Sequence, residues 1–387
     1  MNPHETCPPF EQGPIRPPSE AKSLLIRVTR NCPWNRCAFC HTYQGENFSL
    51  RPVSEIKEDI LRISLAADRI RTLSVENGEG GRIGGKTFNR IFSPEGNDDE
   101  CLRSVASWLY YGGESVFLQD ADSLIMKTDD LAEVIAFIRE TFPPILRITT
   151  YARAKNASRK TVEELKRLRE AGLSRIHIGM ETGYDPLLTF IRKGVTAAEQ
   201  IEGGQKIREA GISLCEYVMP GLGGRRWSMA HAVETARVLN RINPDHIRLR
   251  TLQVVPGTGL AEKVRDGEFQ PLDDEAILRE IRLFFETLEG ITTEVVSDHI
   301  LNLLEELEGN LPGDRQRIIG IIDRFFTLSE EEKMVFRIGR RMGIYRCLDD
   351  LNDRNTYHNL EQTLKGYREK EPLELERDLA ELRRRYI

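Results

Sequence analysis

The sequence predicts an α/β fold: a partial (β/α)6 barrel of the TIM type followed by a helical C-terminal region. Three observations carry this. Strand-like runs alternate six times with helical patterns between residues 23 and 290, which is the order of a parallel sheet with right-handed crossovers. Glycines such as Gly172 and Gly211 close the helical patterns, as C-cap residues do. After about residue 300 the strand signal stops and charge-rich helical periods take over.

The elements follow in order. Residues 1–22 hold six prolines and little periodicity, and read as an extended arm that wraps the domain. SLLIRVT (23–29) is the first strand. VSEIKEDILRISLAADRI (53–70) sets Ile56, Ile60, Ile63 and Ala67 at helical spacing, with Ser54 as its N-cap. SVFLQD (115–120) and LRITTYA (146–152) are strands two and three, with helices over 129–142 and 158–172. SRIHIGME (174–181), ISLCEYVMPG (212–221) and HIRLRTLQVV (246–255) are strands four to six, with helices over 197–211, 228–242 and 274–288. LNLLEELEG, RQRIIGIIDRFF, EEEKMVFRIGRRMG and LERDLAELRRRYI read as C-terminal helices whose charges form solvated faces. The expected organisation is an arm (1–22), a barrel (23–290, with a glycine-rich loop inserted at 76–99) and a mostly helical region (291–387).

Composition narrows the function. Hydrophobic residues make up 40% and charged residues 30% of the 387 residues, and the net charge is −6. That balance suits a globular protein and speaks against nucleic acid or an anionic membrane as partner. No apolar run approaches the roughly 20 residues that span a bilayer, and the N-terminus lacks a signal-peptide pattern. The expectation is a cytoplasmic protein with reduced thiols, whose cysteines are ligands, catalytic groups or core residues.

Cys32, Cys37 and Cys40 stand in RNCPWNRCAFC, directly after the first strand. Active groups of parallel barrels sit at the carboxyl ends of strands. Three thiolates can cap three corners of a [4Fe–4S] cube and leave one iron open. A structural zinc asks for four ligands, and His41, adjoining Cys40, is an awkward fourth. Cys7, Cys101, Cys215 and Cys347 are scattered, and Cys215 reads as a core residue.

CPWNRCAFC resembles the cluster loop of the radical S-adenosylmethionine (radical SAM) enzymes, with CxxxxCxxC in place of the usual CxxxCxxC. IGMETG (178–183), IRKGVT (191–196), REAGI and a strand ending in GLGG are similar to the branch that includes oxygen-independent coproporphyrinogen oxidase. The resemblance covers residues 23 to 290. It implies a [4Fe–4S] cluster on Cys32, Cys37 and Cys40, SAM chelated to the open iron, and an electron donor such as ferredoxin or flavodoxin. Reductive cleavage of SAM would then yield a 5′-deoxyadenosyl radical that takes hydrogen from substrate. It further implies SAM contacts from Phe39 and Val255 near the adenine, and from Gln119, Asp120 and Asp122 near the ammonium. Tyr151, Arg153, Glu181 and Arg248 complete the implied set.

Other motifs weigh less. Gly80 to Thr87 matches the phosphate-binding pattern GxxxxGKT, but a helix precedes it, and Pro94 and Gly96 break any helix after it. Arg248 and Arg250 share a strand face by alternation, which suits an anion or an ion pair. Asp298 and His299 suit proton transfer or a structural role. The expectation is therefore a radical SAM enzyme acting on a small molecule. A tRNA-modifying enzyme and a haem carrier, with His41, His177 or His299 as axial ligand, are the alternatives.

Overall fold

A computed structural model of the chain describes residues 9–93, 99–368 and Glu381. Cys7 and most of the expected last helix lie outside the described residues. The fold is mixed α/β, built on parallel strands. It divides into two compact units: residues 1–35, 42–178 and 206–213, and residues 36–41, 179–205 and 214–387.

The first unit opens with β1 (Leu24–Arg27) and an antiparallel ribbon of β2 (Thr29–Arg30) and β3 (Ser49–Leu50). This ribbon closes the base of the loop that carries the three cysteines. Helices α1 (Val53–Glu76), α2 (Gly85–Phe92) and α3 (Glu100–Tyr110) follow. Then come β4 (Ser115–Gln119), α4 (Thr128–Thr141), β5 (Arg147–Ala152), α5 (Ala154–Arg159), α6 (Val162–Ala171) and β6 (Leu173–Glu181). Strands β1, β4, β5 and β6 are parallel in that order, with Leu24 beside Val116 and Ser115 beside Arg147.

Periodicity explains most of this. On α1, Ile56, Ile60, Ile63 and Ile70 are 0% exposed, and each such side chain contributes about 2 kcal/mol by leaving water. The helix begins at Val53, so Ser54 lies inside it and Pro52 takes the N-cap place. Thr161 and Glu164 form a capping box at the start of α6, and Gly172 ends it. The expected helix over 158–172 is thus two helices, parted before the cap.

The 76–99 segment is not all loop. Pro94 and Gly96 stand beyond α2 and limit its length without preventing it. The Glu79 carboxylate accepts the N–H groups of Gly84 (3.1 Å), Lys86 (2.9 Å) and Thr87 (3.1 Å). The chain's own carboxylate therefore fills the place that a phosphate would take in a GxxxxGKT loop.

The second unit holds α7 (Asp185–Phe190), most of α8 (Ala197–Glu209), β7 (Ser213–Val218) from its second residue, α9 (Gly224–Ile242), β8 (His246–Leu249), α10 (Gly259–Arg265) and α11 (Asp274–Thr287). β9 (Thr293–Val296), β10 (Gly309–Leu311), α12 (Arg315–Thr327), α13 (Glu330–Arg341) and α14 (Arg354–Arg368) complete it. β7, β8 and β9 are parallel, and β10 runs antiparallel to β9. β8 stops at Leu249, well short of the expected 255. Asn302 captures the chain there: its Oδ1 accepts Thr251 N–H and Oγ1–H, both at 2.9 Å, and its amide donates to Leu249 O at 2.8 Å.

LNLLEELEG is turns and a short strand in place of a helix. The solvated-face expectation for α13 also fails. Lys333 is 8% exposed, and Arg340 and Arg341 are each 2% exposed, because each finds carboxylates or carbonyls inside. Among the described residues no helix is long and apolar enough to cross a membrane.

Candidate functional site

In the first unit the site is built around the carboxyl ends of β1, β4 and β5. Asp120, just past β4, is 0% exposed. Its Oδ2 accepts Arg27 Nη2 at 2.8 Å and Nε at 3.1 Å, and Asn31 N–H at 3.3 Å, while Oδ1 accepts the Tyr43 hydroxyl. Gln119 spends its amide on the N-terminal arm. It accepts Gly13 N–H at 2.9 Å and donates to Gly13 O and Ile15 O at 2.9 and 2.8 Å. Neither side chain has an acceptor free for an ammonium, so the structure commits both to the scaffold. The signal was absent because the arm and Tyr43 are distant in sequence.

Asp122 is different. It is buried and takes the Asn156 amide at 2.6 Å. Burial pushes its carboxyl up to about 6, against the N–H of Arg153, the Asn156 amide and the charge of Arg153. The Arg153 guanidinium lies 5.0 Å from the centre of the Trp34 ring, within the cysteine loop. Tyr151 packs edge-on against Phe117 and His177. The first unit thus gathers Asp122, Arg153 and the Cys32 end of the loop.

In the second unit, residues 37–40 are pinned through Ala38. Its N–H donates to Ile191 O at 2.8 Å and its carbonyl accepts Leu260 N–H at 2.7 Å. Cys40 N–H turns back to Cys37 O at 3.2 Å. Phe39 packs against the Ala38, Leu260 and Phe269 cluster, with Lys193 Nζ 5.6 Å from its ring centre. Lys193 also pairs with Glu181 at 2.9 Å. Glu181 has φ +64°, and its Oε1 would stand 2.4 Å from a Cβ at Gly179, so the residue at 179 must be glycine. Lys193, inside IRKGVT, carries no sequence signal of its own, yet it ties Phe39 to Glu181. Glu216 on β7 is buried, and burial followed by the Glu181 charge raises its carboxyl well above the usual range.

Arg248 forks onto Asp298 at 3.0 Å to each oxygen, the ion-pair outcome. Val255 lies in a turn where Thr258 Oγ1 donates to its carbonyl. His299 Nδ1 accepts Leu301 N–H, a structural use. These bonds tie none of the three to Phe39, Lys193 or Glu181.

Cys32, Cys37 and Cys40 are partly exposed, whereas Cys215 is buried. Among the described residues no three or more His, Cys, Asp or Glu converge to hold a single metal ion. A cube asks less, since each thiolate caps a different iron. Three accessible thiols on one short loop, with a backbone N–H already on Cys32 Sγ, fit that donor set.

Residues 86–236 match the Radical SAM superfamily model. The chain carries a radical SAM domain. The match begins after the cysteine loop and runs from α2 into α9. The tRNA uridine(34) acetyltransferase of Methanocaldococcus jannaschii is 26% identical over 114 residues, 29% of this chain and 21% of that protein. The heme chaperone HemW of Bacillus subtilis is 23% identical over 205 residues, 52% of this chain and 53% of that one. Among solved structures, coproporphyrinogen III oxidase (HemN) from Escherichia coli superposes with a TM-score of 0.37 at 10% identity, covering 82% of this chain and 74% of that one. The chain therefore spans from about a fifth to about half the length of these two curated relatives.

The glycine-rich turn of the radical SAM domain, MPGLGG, is held from beneath. Glu280 accepts Gly221 N–H and Ser228 Oγ–H, both at 2.6 Å, and His231 Nε2 lies 3.6 Å away. Burial raises Glu280 from 4.5 to about 7. The folded chain therefore keeps this proton through the range where the unfolded chain has lost it. The stabilisation is complete below pH 4.5 and disappears as pH rises through about 7. Glu280→Gln removes that slope. Between pH 5 and 8 the variant gains up to about 3 kcal/mol on the wild type. His231, lowered to about 4 by burial, is common to both proteins and cancels. Denaturation midpoints of the two at each pH check this.

Proposed function

We propose that the chain is a radical SAM enzyme. Cys32, Cys37 and Cys40 hold a [4Fe–4S] cluster, SAM binds beside it, and a hydrogen atom is taken from a small-molecule substrate. The observation that carries this reading is the trio of accessible thiols on the loop after β1, in a chain with a downstream radical SAM domain. When bound, such a cluster with an open iron supplies the electron that splits the S–C5′ bond of SAM.

The chain's own residues bind and orient. Phe39 offers a ring face for the adenine. Glu181, held by Lys193, presents a fixed carboxylate for hydroxyl or ammonium donors. Asp122, buried and raised, can accept or hold a proton near a ligand ammonium. Arg153 offers a fork for a carboxylate. A reductant of the ferredoxin or flavodoxin type supplies the electron, in a cytoplasmic setting that keeps the thiols reduced. The acidic balance, −6 overall, favours a small molecule over tRNA. The likeness to HemW supports haem carriage as a second reading.

The test is anaerobic reconstitution with iron and sulfide, followed by dithionite and SAM. The expected result is a brown chromophore, a paramagnetic signal on reduction and 5′-deoxyadenosine by mass spectrometry. Cys37→Ala loses all three. Stoichiometric haem uptake without 5′-deoxyadenosine selects the carrier. Wild-type protein that takes up no iron overturns the enzyme reading.

A further inference from the structure

Four residues, PWNR, separate Cys32 from Cys37, one more than in the loop the sequence resembles. An extra residue in a ligand loop adds conformers, and each must be frozen out when the thiolates close on a metal group. The structure shows how this loop is braced. Asn35 adopts a left-handed backbone, φ +46°, which asparagine tolerates better than most residues. That turn sends Asn35 N–H back onto Cys32 Sγ at 3.4 Å. The Asn35 side-chain amide meanwhile donates across the loop to Tyr43 O and to Glu46 O at 3.1 Å. Tyr43 in turn donates its hydroxyl to the buried Asp120, which Arg27 of β1 holds from its other oxygen. An unbroken chain of bonds runs from the β1–β4 scaffold through Tyr43 and Asn35 to the sulfur of Cys32.

We infer that Asn35 is a positioning residue for Cys32: it takes up the extra residue of the CxxxxCxxC loop, cross-braces its two limbs, and keeps a backbone N–H on the ligand sulfur. The inference rests on the proposed cluster. Its chemical consequence is twofold. A braced thiolate costs less ordering on metal uptake, and an N–H on the sulfur draws off charge and makes the cluster easier to reduce. Trp34, stacked under Arg153, fixes the residue before Asn35 and so supports the same turn.

Asn35→Gly tests this cleanly. Glycine keeps the left-handed backbone and the N–H, and removes both cross-loop donors. Asn35→Asp keeps the shape but sets a carboxylate against two carbonyl oxygens. Tyr43→Phe cuts the chain one link further away. The full chain and the three variants are reconstituted anaerobically. Iron per chain, the rate of chelator-driven bleaching and the midpoint potential are then measured. Metal-free samples are followed by melting and by amide exchange of the loop.

In the expected result the wild type holds one cluster. Asn35→Gly and Asn35→Asp hold iron about ten- to a hundredfold more weakly, the usual effect of losing an outer-shell partner. Their midpoint potentials fall. Metal-free loop amides exchange faster, while the melting point of the metal-free chain stays put. Tyr43→Phe shows the same signs, smaller. Variants that keep iron and potential at wild-type values overturn the inference. So does iron loss that only follows a lowered metal-free melting point, since that is a merely structural role. Wild-type protein that binds no iron overturns the enzyme reading itself, and the role of Asn35 with it.

Discussion

Asp120→Ala destabilises the metal-free chain by about 3–5 kcal/mol, the cost of stripping one partner from a buried ion pair. Asp120 is 0% exposed, and the side chain of its partner Arg27 is 14% exposed. The substitution leaves the guanidinium with Glu11 at 3.0 Å and the Asn31 carboxamide at 2.9 Å. It also orphans the Tyr43 hydroxyl and the Asn31 N–H. Asp120→Asn keeps an acceptor for these donors but drops the charge, so it loses less. Arg27→Met combined with Asp120→Leu recovers part of the loss, because the doubly apolar site leaves no buried charge unpaired. Urea denaturation of the four proteins checks the order. A loss under about 1 kcal/mol for Asp120→Ala means that water or Glu11 already satisfies Arg27, and that the pair is no scaffold.

That expectation also shows what the sequence could and could not reveal. LQDADSL was legible as a strand end bearing polar groups, and β4 does end there. Which carboxylate faces outward was not legible. Arg27, Tyr43 and Gly13 lie 93, 77 and 106 or so positions from their partners at 119–120, and no local pattern encodes such pairings. The six strands and their helices were readable because burial imposes period 2 or 3.6 on the residues themselves. The strand at 246–255 was overlong because its alternation continues past Leu249, while Asn302, fifty residues on, takes the backbone bonds that would extend it. Phe39, Glu181 and the cysteines were legible through motif order. Lys193 and Asn35 stood inside legible motifs but carried no signal. Their roles come from a contact across 12 residues and from a left-handed backbone.

Charge on α13 misled for a related reason, and it yields the second large effect. Glu330, Glu331 and Glu332 open the helix and Arg340 and Arg341 close it, the order that the helix dipole favours on any exposed helix. In the structure the arginines turn inward. Asp274, 4% exposed at the start of α11, accepts Arg341 Nη2 on one oxygen and Arg337 Nε on the other, both at 2.9 Å. Arg341 Nη1 continues to Leu301 O at 2.9 Å, and Arg340 Nε to Asn302 O at 3.0 Å. Asp274 is thus the anion that lets two guanidinium groups leave water. Asp274→Ala strands Arg341 at 2% exposure, and a loss of about 3–5 kcal/mol results. Asp274→Asn, which keeps one acceptor, loses roughly half as much. Arg346→Ala serves as the control. Its side chain is 76% exposed beside Glu305, so it changes stability by less than about 1 kcal/mol. Denaturant midpoints rank the three. If Asp274→Ala falls beside Arg346→Ala, α13 does not dock through this carboxylate. Because Asn302 is held by Arg340 and itself ends β8, the same variant also raises amide exchange at Thr251, linking the C-terminal helix to the strand end within the second unit.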